Sequence, residues 1–532
     1  MFQMLSRVLG FSSSTVTKRT PKKKARRFQP NLEALEMREV PTATLFKDVN
    51  VGPDSSTPQE LVNVNGTLFF SADDGIFGRE LWMRRGGVVQ KVKDIMPGPN
   101  GSNPLQLTEV GNRLFFSADD GLHGRELWVT DGTFAGTRLV EDINPGLDSS
   151  DPGELTAFAP NPLVFNPTKT DSSATVRLYF AATHSSFGRE LWTSRGLDAN
   201  TFMVRDINPG TPDSSPSYLI VAKTRVRGGL RNVLYFAADR VGLGRELWRT
   251  QLNGQAADIV RDIRGGAEGS NPFNLTKVSV AANRADIVFF GADDGFRGAE
   301  LWRSNGVFGG TFLIEDINPG GPDSDSLRES PTDLMAEFQH RLYFAADDGR
   351  VGRELWRSLG GVGSAELFKD INPGVNSSNP TAQEHPLPKL RNLIFRRPNG
   401  KDRLLFFGAD NGTMGGEPWR ANGTFGGTVI LRDINVGPAS SLIQNELVGI
   451  VFPGRLGQPS RILHFAADDG FFGRELWRSD GNINNPIFNT RRDETDINPG
   501  APSSTPSFFE ISPGGVFFAA ERDLLGRELW RV

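Results

Sequence analysis

The stretch LTEVGNRLFFSADDGLHGRELWVTDGTFAGTRLVEDINPGLDSSDP (Leu107–Pro152) decides the fold. It holds a short apolar run (LTEV), a nearly continuous apolar run (RLFFSA), a third (RELWV) and a β-branched one (TRLVEDI), separated by Gly, Asp, Asn and Pro. Runs of this length bounded by turn residues read as four successive strands, a to d. Strands b and c are apolar on both faces, which predicts burial between neighbouring sheets.

The unit recurs. All nine tryptophans, at 82, 128, 192, 248, 302, 356, 419, 477 and 530, lie in one motif of the form G-x-E-L-W. The second aromatic of strand b (Phe70, Phe116, Phe180, Phe236, Phe290, Phe344, Phe407, Phe465, Phe518) precedes that Trp by twelve residues in every copy. Length varies almost entirely in the a-to-b connection: the step from the Pro opening strand a to that Phe is twelve residues in the first copy and twenty-eight in the third.

The chain from residue 44 opens with a lone strand d, Thr44–Gly52, and closes just after a lone strand c, Gly526–Val532. Each end supplies what the other lacks. The expected fold is therefore all-β: a single closed β-propeller of about nine four-stranded antiparallel blades, the last completed by the amino-terminal strand, with two smaller propellers as the alternative. The expected domains are a disordered basic tail, 1–43, and the nine-unit propeller, 44–532.

The repeated unit resembles the ELWxxDGT repeat family of bacterial surface proteins over residues 44–532, with GRELWVTDGT (Gly124–Thr133) the fullest match. The seventh copy departs to GGEPWRANGT, and the first replaces DGT with RGG. The family implies the repeat architecture and no activity. Upstream, RRFQPNLEALEMREVP resembles the amino-terminal LEALE-R-P motif of large exported planctomycete proteins, which implies an extracellular or cell-surface location. The opening residues have no apolar core of the signal-peptide kind, and no run reaches membrane-spanning length.

Composition sets further bounds. With no cysteine, disulfides, thiolate nucleophiles and thiolate metal sites are excluded. The five histidines (His123, His184, His340, His385, His464) share no repeat position. Residues 1–43 carry nine Lys/Arg against three Glu, leaving 50 basic against 60 acidic residues in the rest. The basic arm Lys22–Arg27 raises nucleic-acid binding as a third reading of function, which the acidic body opposes.

Glu80, Glu126, Glu190, Glu246, Glu300, Glu354, Glu417, Glu475 and Glu528 stand two residues before the Trp of every copy (Trp82, Trp128, Trp192, Trp248, Trp302, Trp356, Trp419, Trp477, Trp530). Ninefold recurrence assigns them to structure, since catalysis needs one or two carboxylates in differing environments. The Ala-Asp-Asp-Gly turn between b and c offers oxygen ligands, with Asp119 and Asp120 the calcium candidates, against a turn-forming role. No other metal or cofactor is expected.

The variable a-to-b loops are basic: Lys223, Arg225, Arg227 and Arg231 in the fourth copy, Arg391, Arg396, Arg397, Lys401 and Arg403 in the seventh, Arg455 and Arg461 in the eighth. If they converge they form a positive arc for an anionic surface glycan. The expected function is thus a non-catalytic binding module or scaffold, its partner an anionic glycan or another surface protein. The alternative is a propeller-type glycan hydrolase or lyase, whose site would lie among residues that break the repeat, His184, His340 and His464 being the candidates.

Overall fold

The computed structural model describes residues 43–532 except 161–175, 227–228, 253, 282–283, 320–334, 382–393, 397–402, 443–448, 453–461, 482, 484–496 and 500–501. The basic tail with its LEALE segment, His385, Arg227, Arg391, Arg397, Lys401, Arg455 and Arg461 lie outside the described residues.

The fold is all-β, in nine antiparallel sheets. In the second copy, strands Leu105–Val110, Arg113–Asp119, Arg125–Thr130 and Arg138–Glu141 pair in chain order, a-b-c-d. Eight sheets have four described strands and the eighth has three, Gly449–Phe452, Ile462–Asp468 and Arg474–Ser479. In the ninth, Ser507–Ser512, Gly515–Arg522 and Gly526–Arg531 are completed by Thr44–Lys47, with Thr44 opposite Arg531 and Leu45 opposite Trp530. The two lone strands read from the sequence thus finish one sheet.

Strands b are buried along nearly their whole length, as their two-sided apolar pattern requires. The second aromatic of strand b is wholly buried in every copy. Burying each such ring is worth about 1.5–3 kcal/mol. Eight apolar clusters hold the sheets face to face, each drawn from two sheets that follow one another in the chain. In the cluster that joins the ninth sheet to the first, Phe517 and Leu529 meet Leu61, Leu68 and Phe70.

Strands a of neighbouring copies lie against one another: Gln59–Val64 lies against Leu105–Val110 of the next copy and against Ser507–Ser512 of the ninth. It is less regular than its sequence suggests. Register breaks between Gln59 and Val62, Leu105 and Thr108, Gly153 and Thr156, Ser217 and Ile220, Phe273 and Thr276, and Ser507 and Glu510. The residue just inside each break (Glu60, Gln106, Glu154, Tyr218, Asn274, Phe508) has φ between +52° and +60°. A bulge with a non-glycine residue in the left-handed region re-aims a side chain and stores strain.

Candidate functional site

Two arrangements of polar groups stand out, and they differ in how they treat the repeat. The first is a cradle around the glutamate of strand c. In the second copy Glu126 accepts hydrogen bonds from Ile143 N at 3.2 Å, Ser150 N at 2.9 Å and Ser150 Oγ at 2.6 Å. The donors lie on the d-to-a connection that leads into the third sheet. Glu190 with Ser214, Glu246 with Ser270, Glu354 with Ser378, Glu417 with Ser441 and Glu475 with Ser504 repeat it. Across the chain ends, Glu528 accepts from Val49 N, Ser56 N and Ser56 Oγ at 2.8, 2.8 and 2.6 Å. Burial pushes the Glu126, Glu190, Glu354 and Glu417 carboxyls up to about 7 against the opposing pull of these donors. A group enclosed in this way has no access to a substrate.

The same connections also bind one sheet to the next through asparagine. Asn144 Oδ1 accepts from Ser185 N, Asn208 Oδ1 from Val241 N and Asn498 Oδ1 from Asp523 N, each on the b-to-c turn of the following copy. In that turn Asp119 Oδ1 accepts from Gly121 N, while Asp120 accepts from Leu122 N and His123 N and meets His123 Nδ1 at 2.8 Å. The calcium candidates are therefore engaged with their own turn. Among the described residues no group of three His, Asp or Glu is placed to hold a metal ion.

The second arrangement breaks the repeat. At the strand-a bulge the third copy carries Glu154 and the fourth Tyr218, side by side on neighbouring strands a. Glu154 Oε2 accepts from Leu219 N at 3.5 Å. Burial raises the Glu154 carboxyl, opposed by the Leu219 and Tyr218 N–H groups and by the charges of Arg189 and Arg245. The Tyr218 phenol, 37% exposed, is raised by burial and by Glu154. Arg189 Nη1 donates to Asp151 O at 2.8 Å, and Arg245 Nη1 to Ser215 O at 3.0 Å and to Asp239 Oδ2 at 2.6 Å. A carboxyl raised above its ordinary range, an accessible phenol and two guanidiniums thus meet at one place. In the first copy the same position holds Glu60, which accepts from Leu107 N at 3.2 Å, but its neighbour there is Gln106. Sequence reasoning missed this pair because the bulge that selects its position leaves no mark in the residue pattern.

The histidines do not converge. His184 stacks on Trp192 and Phe187 in a b-to-c turn, His340 meets Ser279 O on an a-to-b turn, and His464 is buried between sheets. His464 takes the place of the first aromatic of strand b, and burial beside Arg478 lowers it to about 4.

No family model matches the chain, and no curated protein matches it. Among solved structures it is similar to a puromycin hydrolase mutant (15% identity, 79% of this chain and 58% of that one, TM-score 0.34). It is also similar to a puromycin-hydrolyzing peptidase of Mycobacterium tuberculosis (12%, 81% and 61%, 0.33) and to a prolyl endopeptidase (11%, 79% and 55%, 0.36). The chain spans less than two thirds of each, and at these TM-scores no residue role is carried over.

The expectation of a non-catalytic scaffold that grips an anionic glycan through basic a-to-b loops is corrected by where the described basic residues lie, since they form no arc. The insertion of the fourth copy is a hairpin extension of strands a and b that pairs as far as Val226 and Gly229. Its Lys223 is tied to the buried Asp286 of the fifth copy at 3.2 Å, Arg225 pairs opposite Leu230, and Arg231 donates to Leu230 O. Arg396 is the backbone partner of Arg403 where strands a and b of the seventh copy pair. The described insertions extend and fasten sheets. Among the described residues no helix is long and apolar enough to cross a membrane.

Proposed function

We propose that the chain closes into one nine-bladed propeller of the ELWxxDGT-repeat type, working outside the cytoplasm, and that it is a glycan hydrolase or lyase whose acid–base pair is Glu154 and Tyr218. Closure is supported by the apolar cluster and the Glu528 cradle that join the ninth sheet to the first, which two separate rings would not contain. The extracellular assignment rests on the LEALE-R-P resemblance alone.

The observation that carries the activity is the break in symmetry at the strand-a bulge: a half-buried carboxyl above its ordinary range beside an accessible phenol, flanked by two guanidiniums. A carboxyl that holds its proton can give it to the glycosidic oxygen as the bond to the sugar carbon breaks; in hydrolysis water then adds to that carbon and returns a proton to the Glu154 carboxylate, and in elimination the carboxylate takes the proton of the neighbouring ring carbon instead. The phenol is placed to hydrogen-bond the sugar beside it. The guanidiniums of Arg189 and Arg245 favour the carboxylate that Glu154 becomes once it has given up its proton.

Incubating the full chain with neutral and uronate-containing polysaccharides, and following product size by chromatography, tests this. The wild type is expected to shorten at least one of them, Glu154→Gln to lose about 10²–10⁴-fold in rate, and Tyr218→Phe to lose activity while remaining folded. No product from any polysaccharide, or full activity in both variants, would overturn the proposal.

A further inference from the structure

Two residues after each Trp the chain carries a small side chain in eight of nine copies: Thr130, Ser194, Thr250, Ser304, Ser358, Ala421, Ser479 and Val532. Where it is Ser or Thr, its oxygen caps the c-to-d turn, as Thr130 does for Gly132 N, Ser194 for Gly196 N and Ser304 for Gly306 N, each at 2.9 Å. The first copy has Arg84 there. Its side chain is 7% exposed and reaches into the junction between the first and ninth sheets, with its Cζ 4.8 Å from the Phe517 ring and 5.2 Å from the Phe46 ring.

Arg531, the residue after the last Trp, comes to the same place from the ninth sheet, with its Cζ 5.5 Å from the centre of the Phe46 ring. The matching residue of the sixth copy, Arg357, also lies over a phenyl ring, Phe368, but is paired with Glu366 at 2.6 Å. The position of Glu366 is occupied in the ninth sheet by Thr44, four residues before the Asp that closes strand d. Among the described residues no carboxylate pairs with Arg84 or Arg531. Arg84 has one hydrogen bond, from Nη1 to Pro513 O at 2.7 Å, and its Nε is buried with no partner.

Two guanidiniums brought together in a largely apolar junction, one of them buried with donors to spare, are costly unless an anion offsets them. Planar forks of this kind match carboxylate, phosphate and sulfate oxygens. We propose that Arg84 and Arg531 form an oxyanion site at the junction of the ninth and first sheets. Phe46 and Phe517 form its apolar walls. This inference is independent of the glycan reading, since it predicts binding at a different edge of the array and needs no turnover.

Thermal unfolding of the full chain is followed in chloride at constant ionic strength while sulfate, phosphate or glucuronate replaces part of the chloride. The expected result is a saturable rise in Tm with at least one of the three. Sulfate or phosphate acting alone marks a tetrahedral oxyanion, glucuronate acting alone a carboxylate. Arg84→Ser restores the turn cap of the other copies and is expected to abolish the rise without lowering the Tm measured in chloride. Arg531→Gln is expected to weaken it at least tenfold in half-saturating concentration. No saturable rise, or an equal rise in wild type and both variants, would overturn the site.

Discussion

The glutamate cradle and the strand-a bulge lie at the two ends of the same short connection, yet the cradle recurs from copy to copy while the bulge holds Glu, Gln, Tyr, Asn or Phe. The cradle encloses a carboxylate whose acceptor sites are all taken by donors fixed to the backbone of the next sheet. A side chain with no acceptor there would leave those N–H groups buried and unpaired. The bulge is partly open, and its backbone conformation tolerates Glu, Gln, Tyr, Asn or Phe at the strain of a positive φ. Repetition thus marks positions that hold the array together, and variation marks positions at which copies can acquire separate roles.

The comparison breaks most visibly if a cradle is removed. Glu126→Ala removes the acceptor of Ile143 N, Ser150 N and Ser150 Oγ, and is expected to cost about 3 kcal/mol or more, read as a lower urea midpoint. A loss under about 0.5 kcal/mol would return these glutamates to the list of functional candidates.

Next in size is pH dependence. Four cradle carboxyls are raised from 4.5 to about 7, so the folded state binds more protons than the unfolded one between those values. Their stabilising contribution is full below about pH 4.5 and is lost as pH rises through 7. The urea midpoint is therefore expected to fall from pH 4.5 to 7.5, and to fall less in Glu126→Gln, whose side chain does not titrate. A midpoint that rises over that interval would mean the cradle holds ionised carboxylates and gains from them.

A smaller effect is expected where sheets touch through asparagine. An alanine at Gly412 would keep φ at +78° and bring its Cβ to 2.4 Å from Asn372 Oδ1, costing roughly 1–2 kcal/mol. The smallest is at the bulge: Tyr218→Phe is expected to change stability by less than about 0.5 kcal/mol. If it destabilises as much as the cradle variant, the pair of Glu154 and Tyr218 is structural.

The repeat made much of the fold legible. Nine tryptophans in one context fixed the copy count, and the two-sided apolar runs at strands b and c identified the strands found buried between sheets. The lone strands at either end pointed to the sheet that Thr44–Lys47 completes. Strand a was read only in part, because its bulge depends on pairing with strand b, and LTEV reads the same with or without a register break. The candidate site was hidden for a related reason. Glu154 and Tyr218 are 64 residues apart and belong to strands that meet only once the sheets are stacked. Arg84 could have been found: aligning the copies on their Trp sets one arginine against a column of Ser, Thr, Ala and Val.

The central claim, that the two ends of the folded region share one sheet, is open to a direct chemical test because the chain has no cysteine. Thr44 and Arg531 are paired across adjacent strands, within the reach of a disulfide. With Thr44→Cys and Arg531→Cys in the full chain, mild oxidation is expected to give an intramolecular disulfide in nearly every molecule, with faster non-reducing migration and a mass lower by about two hydrogens. Thiols that remain free, or that link only between molecules while the protein stays folded, would contradict the shared sheet.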